Sequence, residues 1–136
     1  MPAGPMYVAG HRGLVGSAVW REAERFGIPT VGRTRRELDL TDGPAVEEFI
    51  AAHRPDTIVM AAARVGGIMA NATYPADFLS ENLQVQLNLL NAAVRTSTPR
   101  VLFLGSSCIY PKLSPQPISE DSLLTGPLEA TNDAYA

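Results

Sequence analysis

A chain of 136 residues, 46% hydrophobic and 18% charged, has the composition of one ordinary globular domain and not of a disordered tail. With 14 acidic against 11 basic side chains the net charge is −3, which leaves no broad basic field for a phosphate backbone and argues against a nucleic-acid partner. The N-terminus lacks a basic stretch ahead of a long apolar one, no apolar run approaches the ~18 residues of a bilayer span, and the single cysteine excludes an internal disulfide or a cysteine metal cluster, so a cytoplasmic protein without a membrane partner or metal site is expected.

Short apolar runs alternate with longer segments of helical period, which predicts βαβ units and an α/β fold built on a doubly wound, Rossmann-like parallel sheet. The first strand, Met6 to Ala9, runs straight into a glycine-rich turn from Gly10 to Gly16. Leu14, Val15, Ala18, Val19, Ala23 and Phe26 then recur at helical spacing, and Gly27 with Pro29 end that helix. Thr30 to Gly32 reads as a short second strand. Pro44 opens a second helix marked by Val46, Phe49 and Ile50 and stopped before Pro55, and Thr57 to Ala61 is the third strand. A loop from Arg64 to Pro75 leads into a helix on which Leu79, Leu83, Leu87, Leu90 and Val94 form the stripe expected to face the sheet; Val85 and Leu89 would widen the core face or meet a partner subunit. Val101 to Leu104 is the fourth strand. Lys112 to Ala136, with Pro115, Pro117 and Pro127, reads as a long loop of the kind that carries function. Thr131-Asn132-Asp133 resembles a helix cap with no room for a helix after it, so a 1–136 dinucleotide-binding domain, incomplete at its C-terminus and with an unpaired strand edge, is expected.

Three places could carry chemistry. Gly10, Gly13 and Gly16 stand where a strand turns into a helix, so backbone N–H groups and the helix dipole can hold a diphosphate; a merely tight turn is the alternative. At the end of the second strand an acid would favour a ribose 2′-hydroxyl, but the run here is Arg33-Thr34-Arg35-Arg36, with Arg12 of the glycine turn near enough to join it. NADP(H) is therefore favoured over NAD(H), unless Glu37 and Asp39 make this a neutralised, solvated turn. Asp39-Leu40-Thr41-Asp42 follows where an adenine edge could be bonded. At the end of the fourth strand, where ligands of open parallel sheets bind, Ser106, Ser107 and Cys108 crowd together. A serine there can donate to a substrate carbonyl and a phenol such as Tyr135 can protonate an alkoxide; a turn whose side chains cap the backbone is the plainer reading.

On these residues the chain resembles the extended short-chain dehydrogenase/reductase superfamily and, within it, the GDP-L-fucose synthase family of bifunctional 3,5-epimerase-4-reductases. The likeness runs through residues 9–18, 61–68, 71–78, 102–112 and 128–136, and its most particular stretches are Val65-Gly66-Gly67-Ile68 and Gly105-Ser106-Ser107-Cys108-Ile109-Tyr110-Pro111-Lys112. The resemblance implies that Gly10, His11, Arg12, Gly13, Leu14, Val15 and Gly16 hold the diphosphate of NADP(H). It gives Arg12 and Arg35 the 2′-phosphate and the stretch Arg35, Arg36, Asp39 and Leu40 the adenosine. Ala61, Ala62 and Ala63, with Leu104, Gly105, Ser106 and Ser107, would line the nicotinamide side. Ser106 and Tyr135 match the catalytic serine and tyrosine, and Cys108 the thiol that moves protons at C3 and C5 of the sugar. The implied substrate is GDP-4-keto-6-deoxy-D-mannose and the implied assembly, in the full-length parent, a homodimer through the helix from Ala76 to Val94 and a helix after Tyr135.

The family's lysine after the tyrosine would fall at position 139, with the epimerisation histidine and the C-terminal nucleotide-sugar domain further on. The expectation is an N-terminal portion without turnover of its own. Another extended nucleotide-sugar reductase, epimerase or dehydratase would share the cofactor half but gives no reason for Cys108 beside Ser106. A non-catalytic nucleotide-binding module is the alternative from a different class.

Overall fold

The computed structural model describes residues 4–66, 68–131, 133 and 136. Its elements run β1 (Met6–Ala9), α1 (Leu14–Arg25), β2 (Thr30–Val31), α2 (Gly43–His53), β3 (Thr57–Met60), α3 (Ile68–Thr73), α4 (Pro75–Arg95) and β4 (Arg100–Phe103), with single 3₁₀ turns at Ser107–Ile109 and Glu120–Ser122. The four strands form one parallel sheet in the order β2-β1-β3-β4, with Met6 opposite both Thr30 and Thr57, and Thr57 opposite Arg100. The chain steps from β1 to one side and then returns to the other, which opens a crevice at the carboxyl ends of β1 and β3. The predicted α/β parallel sheet is thus present, with strand boundaries shifted by one residue at β2, β3 and β4.

Local chemistry explains the helix ends. Asp42 caps α2 by accepting from the Ala45 N–H at 3.1 Å, with a proline in the first turn, and Arg54 closes the helix in the left-handed region at φ 44°. The segment expected as a loop from Arg64 to Pro75 contains the short helix α3, which ends just before the proline that opens α4.

The chain gathers into two compact units, Met1–Ala63 with Asn82–Leu104, and Arg64–Glu81 with Gly105–Ala136. The core of the first lies on one face of the sheet. Tyr7, Ala9, Ile58 and Met60 point there from the two central strands and are covered by Val46 and Ile50 of α2 and by Val85, Leu89, Ala92 and Ala93 of α4. Val8 and Val59, equally buried, stand on the alternate face. Burial pushes the Tyr7 phenol well above its ordinary pKa, with the Arg33 charge a smaller opposing influence.

The α4 stripe is reversed from expectation. Leu79, Leu83, Leu87, Leu90 and Val94 are exposed, at 48, 46, 53, 41 and 78%, while Val85 and Leu89 are buried. Two apolar faces share this helix at nearly opposite angles, and the sheet takes the one carrying Ala92 and Ala93, because small side chains let the helix axis approach closely. Asn88 locks that choice: 8% exposed, it donates to the Leu40 carbonyl at 2.9 Å and accepts from Gln84 at 2.8 Å. Asn88→Ala leaves the Leu40 carbonyl without this donor and is expected to cost about 1–3 kcal/mol, read as a lower midpoint in urea denaturation. The α1 apolar positions are also not a uniform core stripe: Ala23 is buried, but Leu14, Val15 and Phe26 are exposed. Val101, Leu102 and Phe103 of the outer strand β4 are exposed.

Candidate functional site

The crevice is shaped by backbone. β1 ends at Ala9 and Gly10 turns the chain at φ 83°, a conformation that favours glycine. A Cβ at Gly10 would lie 2.7–2.8 Å from the Ala61 carbonyl and the Ala62 nitrogen, so the segments leaving β1 and β3 pass in direct contact. Gly16 sits closer still, since its Cβ would fall 2.2 Å from the Gly10 oxygen. Gly13 differs: only the Gly10 oxygen, at 3.3 Å, would meet its Cβ, and its own N–H donates to that oxygen at 2.9 Å. It is the extended N-cap of α1, no side chain caps this helix end, and the first turn holds no acid. The first N–H groups of α1 are therefore open to an anion, with the helix dipole behind them. His11 adds a buried Nδ1 that meets no hydrogen-bond partner among the described residues.

The basic run beyond β2 divides in two. Arg33 turns away: it lies 5.2 Å over the Phe49 ring, donates to the Gly32 carbonyl at 2.9 Å, and approaches Nε2 of His53 at 3.4 Å. Arg12, Arg35 and Arg36 are exposed. The acids that could neutralise them are engaged in turns. Glu37 accepts from both the N–H and the hydroxyl of Thr34 at 2.7 Å, which holds its carboxyl below the usual range, with the backbone bond the larger cause. Asp39 accepts from the N–H and hydroxyl of Thr41 at 3.0 and 2.8 Å, which lowers its carboxyl likewise, and the Arg35 charge adds to the effect. Leu40 is half-buried and its carbonyl is taken by Asn88. Beyond β3, Ala61 donates its N–H to Ala9 at 3.0 Å; Ala61 and Ala62 are half-buried and Ala63 is exposed. Sequence reasoning missed two residues at this end of the crevice. Trp20 stands 5.3 Å from the His11 ring, and Gly32 abuts the same ring. Nothing in their spacing announces that contact.

The second unit carries the serine–cysteine turn. Ser106 is extended and its Oγ accepts the Cys108 N–H at 3.2 Å, capping the 3₁₀ turn Ser107–Ile109. The capping reading and the catalytic one are compatible, because a hydroxyl that accepts one bond keeps its hydrogen to donate and is fixed in place meanwhile. Cys108 is a half-buried free thiol, Ser107 is exposed, and Gly105 leads into the turn behind Leu104, which closes the β4 side of the first unit through its N–H to Met60 at 3.4 Å. The following loop is folded back on itself: the Lys112 N–H donates to the Pro127 carbonyl at 3.1 Å and its ammonium pairs with Glu129 at 2.6 Å. That ion pair holds the Glu129 carboxyl below the usual range. Arg64 pairs with Glu81 at 3.0 Å and lies 4.8 Å over the Phe78 ring, pinning the start of the Val65-Gly66 segment. Tyr135, like Asn132 of the expected cap cluster, lies outside the described residues. Among the described residues no helix is long and apolar enough to cross a membrane, and no group of three or more His, Cys, Asp or Glu side chains could hold a metal ion.

Comparison with known proteins gives consistent matches along the whole chain. Residues 6–136 match the model of the NAD dependent epimerase/dehydratase family. A protein of Oryza sativa subsp. japonica named "Probable GDP-L-fucose synthase 1" is 58% identical over 135 residues, covering 98% of this chain and 41% of the relative. The GDP-L-fucose synthase of Escherichia coli K12 is 52% identical over 132 residues, covering 96% of this chain and 41% of the relative. Among solved structures, a GDP-mannoheptose C4 reductase from Campylobacter jejuni with NADP bound superposes with a TM-score of 0.91 at 32% identity, covering 97% of this chain and 42% of that one. The chain thus spans about two fifths of the length of the curated relatives it matches.

Proposed function

The chain belongs to the NAD dependent epimerase/dehydratase family, and on that premise we propose that it is the NADP(H)-binding domain, at residues 1–136, of a cytoplasmic GDP-L-fucose synthase. The full enzyme converts GDP-4-keto-6-deoxy-D-mannose to GDP-L-fucose by epimerisation at C3 and C5 and reduction at C4. The observation that carries this reading is the Gly10–Gly13–Gly16 cradle at the crevice between β1 and β3, with an uncapped helix end above it and three exposed arginines, Arg12 in the glycine turn and Arg35 and Arg36 after β2.

The residues present fit the dinucleotide. The open N–H groups of α1 hold the diphosphate, and Arg12, Arg35 and Arg36 hold the 2′-phosphate and adenosine, while Ala61, Ala62 and Ala63 line the nicotinamide side. When bound, NADPH supplies the hydride that reduces C4 and leaves as NADP⁺. The C4 ketone acidifies the neighbouring C–H bonds, so Cys108 takes a proton from carbon and the Ser106 O–H donates to the carbonyl oxygen as negative charge collects there. An acid on the opposite face, the role that the resemblance gives to a later histidine, returns a proton to that carbon and inverts the centre, and the proton on Cys108 passes to solvent. Tyr135 protonates the alkoxide that reduction leaves on C4.

Calorimetry with the two oxidised dinucleotides tests the cofactor half of this proposal. NADP⁺ is expected to bind at least about tenfold more tightly than NAD⁺, and Arg12→Ala with Arg35→Ala to abolish the difference while sparing most NAD⁺ binding. Equal affinities in the unsubstituted chain would refute it.

The exposed α4 leucines support a homodimer in which a second copy covers them. Leu87→Glu is expected to convert dimer to monomer in sedimentation velocity with an unchanged circular dichroism spectrum, since a side chain 53% exposed contributes little to the monomer core. A monomeric unsubstituted chain would count against the pairing.

A further inference from the structure

Gly32 directly follows β2, just ahead of the Arg33 to Arg36 run, in the region where an acidic side chain takes the ribose hydroxyls in NAD-selective folds of this class. The space such a side chain would enter is already filled. A Cβ on Gly32 would lie 2.7 Å from both Cγ and Nδ1 of His11 and 2.9 Å from Cζ3 of Trp20. The tryptophan atom is the far edge of a long side chain, whereas the imidazole clears the space only by rotation about its Cα–Cβ bond, which takes the whole ring out of its place beside Trp20. Trp20 backs the ring at 5.3 Å and is itself held through its indole N–H by Glu24 at 2.8 Å. His11 Nδ1 is buried there without a partner among the described residues. The nearest acids do not compensate for the missing one, since Glu37 and Asp39 are bound into the Thr34 and Thr41 turns.

We propose that the Gly32–His11–Trp20 stack is a specificity determinant: the imidazole wedged against Gly32 excludes an acidic side chain from the end of β2 and leaves the ribose 2′ position to the arginines. This rests on the NADP(H) reading above and deepens it, because selection is made by an excluded carboxylate as well as by attracting cations.

The test measures NADP⁺ and NAD⁺ affinities by calorimetry and by the emission of Trp20, the single tryptophan, in the full 136-residue chain and three variants. Gly32→Asp alone, with the ring still in place, is expected to lose at least about tenfold in affinity for both dinucleotides. His11→Ala combined with Gly32→Asp frees the space and is expected to recover NAD⁺ binding and invert the preference. His11→Ala alone, which opens the space without supplying an acid, is expected to weaken both dinucleotides while NADP⁺ stays the preferred one, to melt cooperatively at a lower temperature, and to change Trp20 emission. If Gly32→Asp alone inverts the preference as fully as the double variant, or if the folded double variant keeps the original preference, the stack is ordinary packing and the proposal is overturned. An unsubstituted chain that shows no preference overturns the cofactor reading itself.

Discussion

Gly16→Val is expected to cause the largest loss of any single substitution in the cradle. Even the first carbon of the new side chain would lie 2.2 Å from the Gly10 oxygen, 2.7 Å from the Gly10 carbonyl carbon and 3.0 Å from the His11 Cα. All three are backbone atoms of the glycine turn, so relief requires α1 to back away from the end of β1, and the N–H groups proposed to hold the diphosphate move with it. NADP⁺ affinity should fall at least about 100-fold in calorimetry, with a destabilisation of about 1–3 kcal/mol in urea denaturation. Gly27→Ala is the control. Gly27 also has a positive φ, 66°, but nothing lies within 4 Å of its Cβ, so alanine there should lower stability through backbone strain and leave affinity unchanged. A valine variant that binds NADP⁺ normally would place the diphosphate elsewhere.

Cys108→Ser in the full-length enzyme is the second large effect. Oxygen in place of sulfur nearly keeps the size of the side chain, keeps the bond from the Cys108 N–H to Ser106 Oγ, and replaces a thiol by a hydroxyl, a much weaker acid. Epimerisation, followed as exchange of the C3 and C5 hydrogens with solvent deuterium, should slow by about 10²–10⁴, the usual contribution of a positioned acid–base group. Reduction of a ketone supplied already epimerised should continue. Equal losses in both reactions would mean that Cys108 is a packing residue beside the site and moves no protons.

Different layers of this molecule were legible to different degrees. The parallel α/β plan followed from apolar runs alternating with helical segments, and the glycine turn followed from its place between a strand and a helix, because both signals are local and repeat along the chain. On α4 the periodicity points to the wrong face. Its leucines make the stronger stripe, but the sheet accepts the face with Ala92 and Ala93, and Asn88 reaches back to Leu40 from that same face. Periodicity reports that a face is apolar and is silent on which of two apolar faces meets the core. The basic run was likewise read as one cluster until Arg33 proved to be spent on Phe49 and His53.

What the sequence determined by itself is the order of elements, the glycines of the βα turn and the residue types proposed to move protons and grip phosphate, since backbone sterics and side-chain chemistry act over a few positions. Only the tertiary structure decided which helix face is buried, which arginine is withdrawn, and that His11, Trp20 and Gly32 share one space. Those outcomes depend on close packing between segments far apart in the chain, where a single missing Cβ decides what fits.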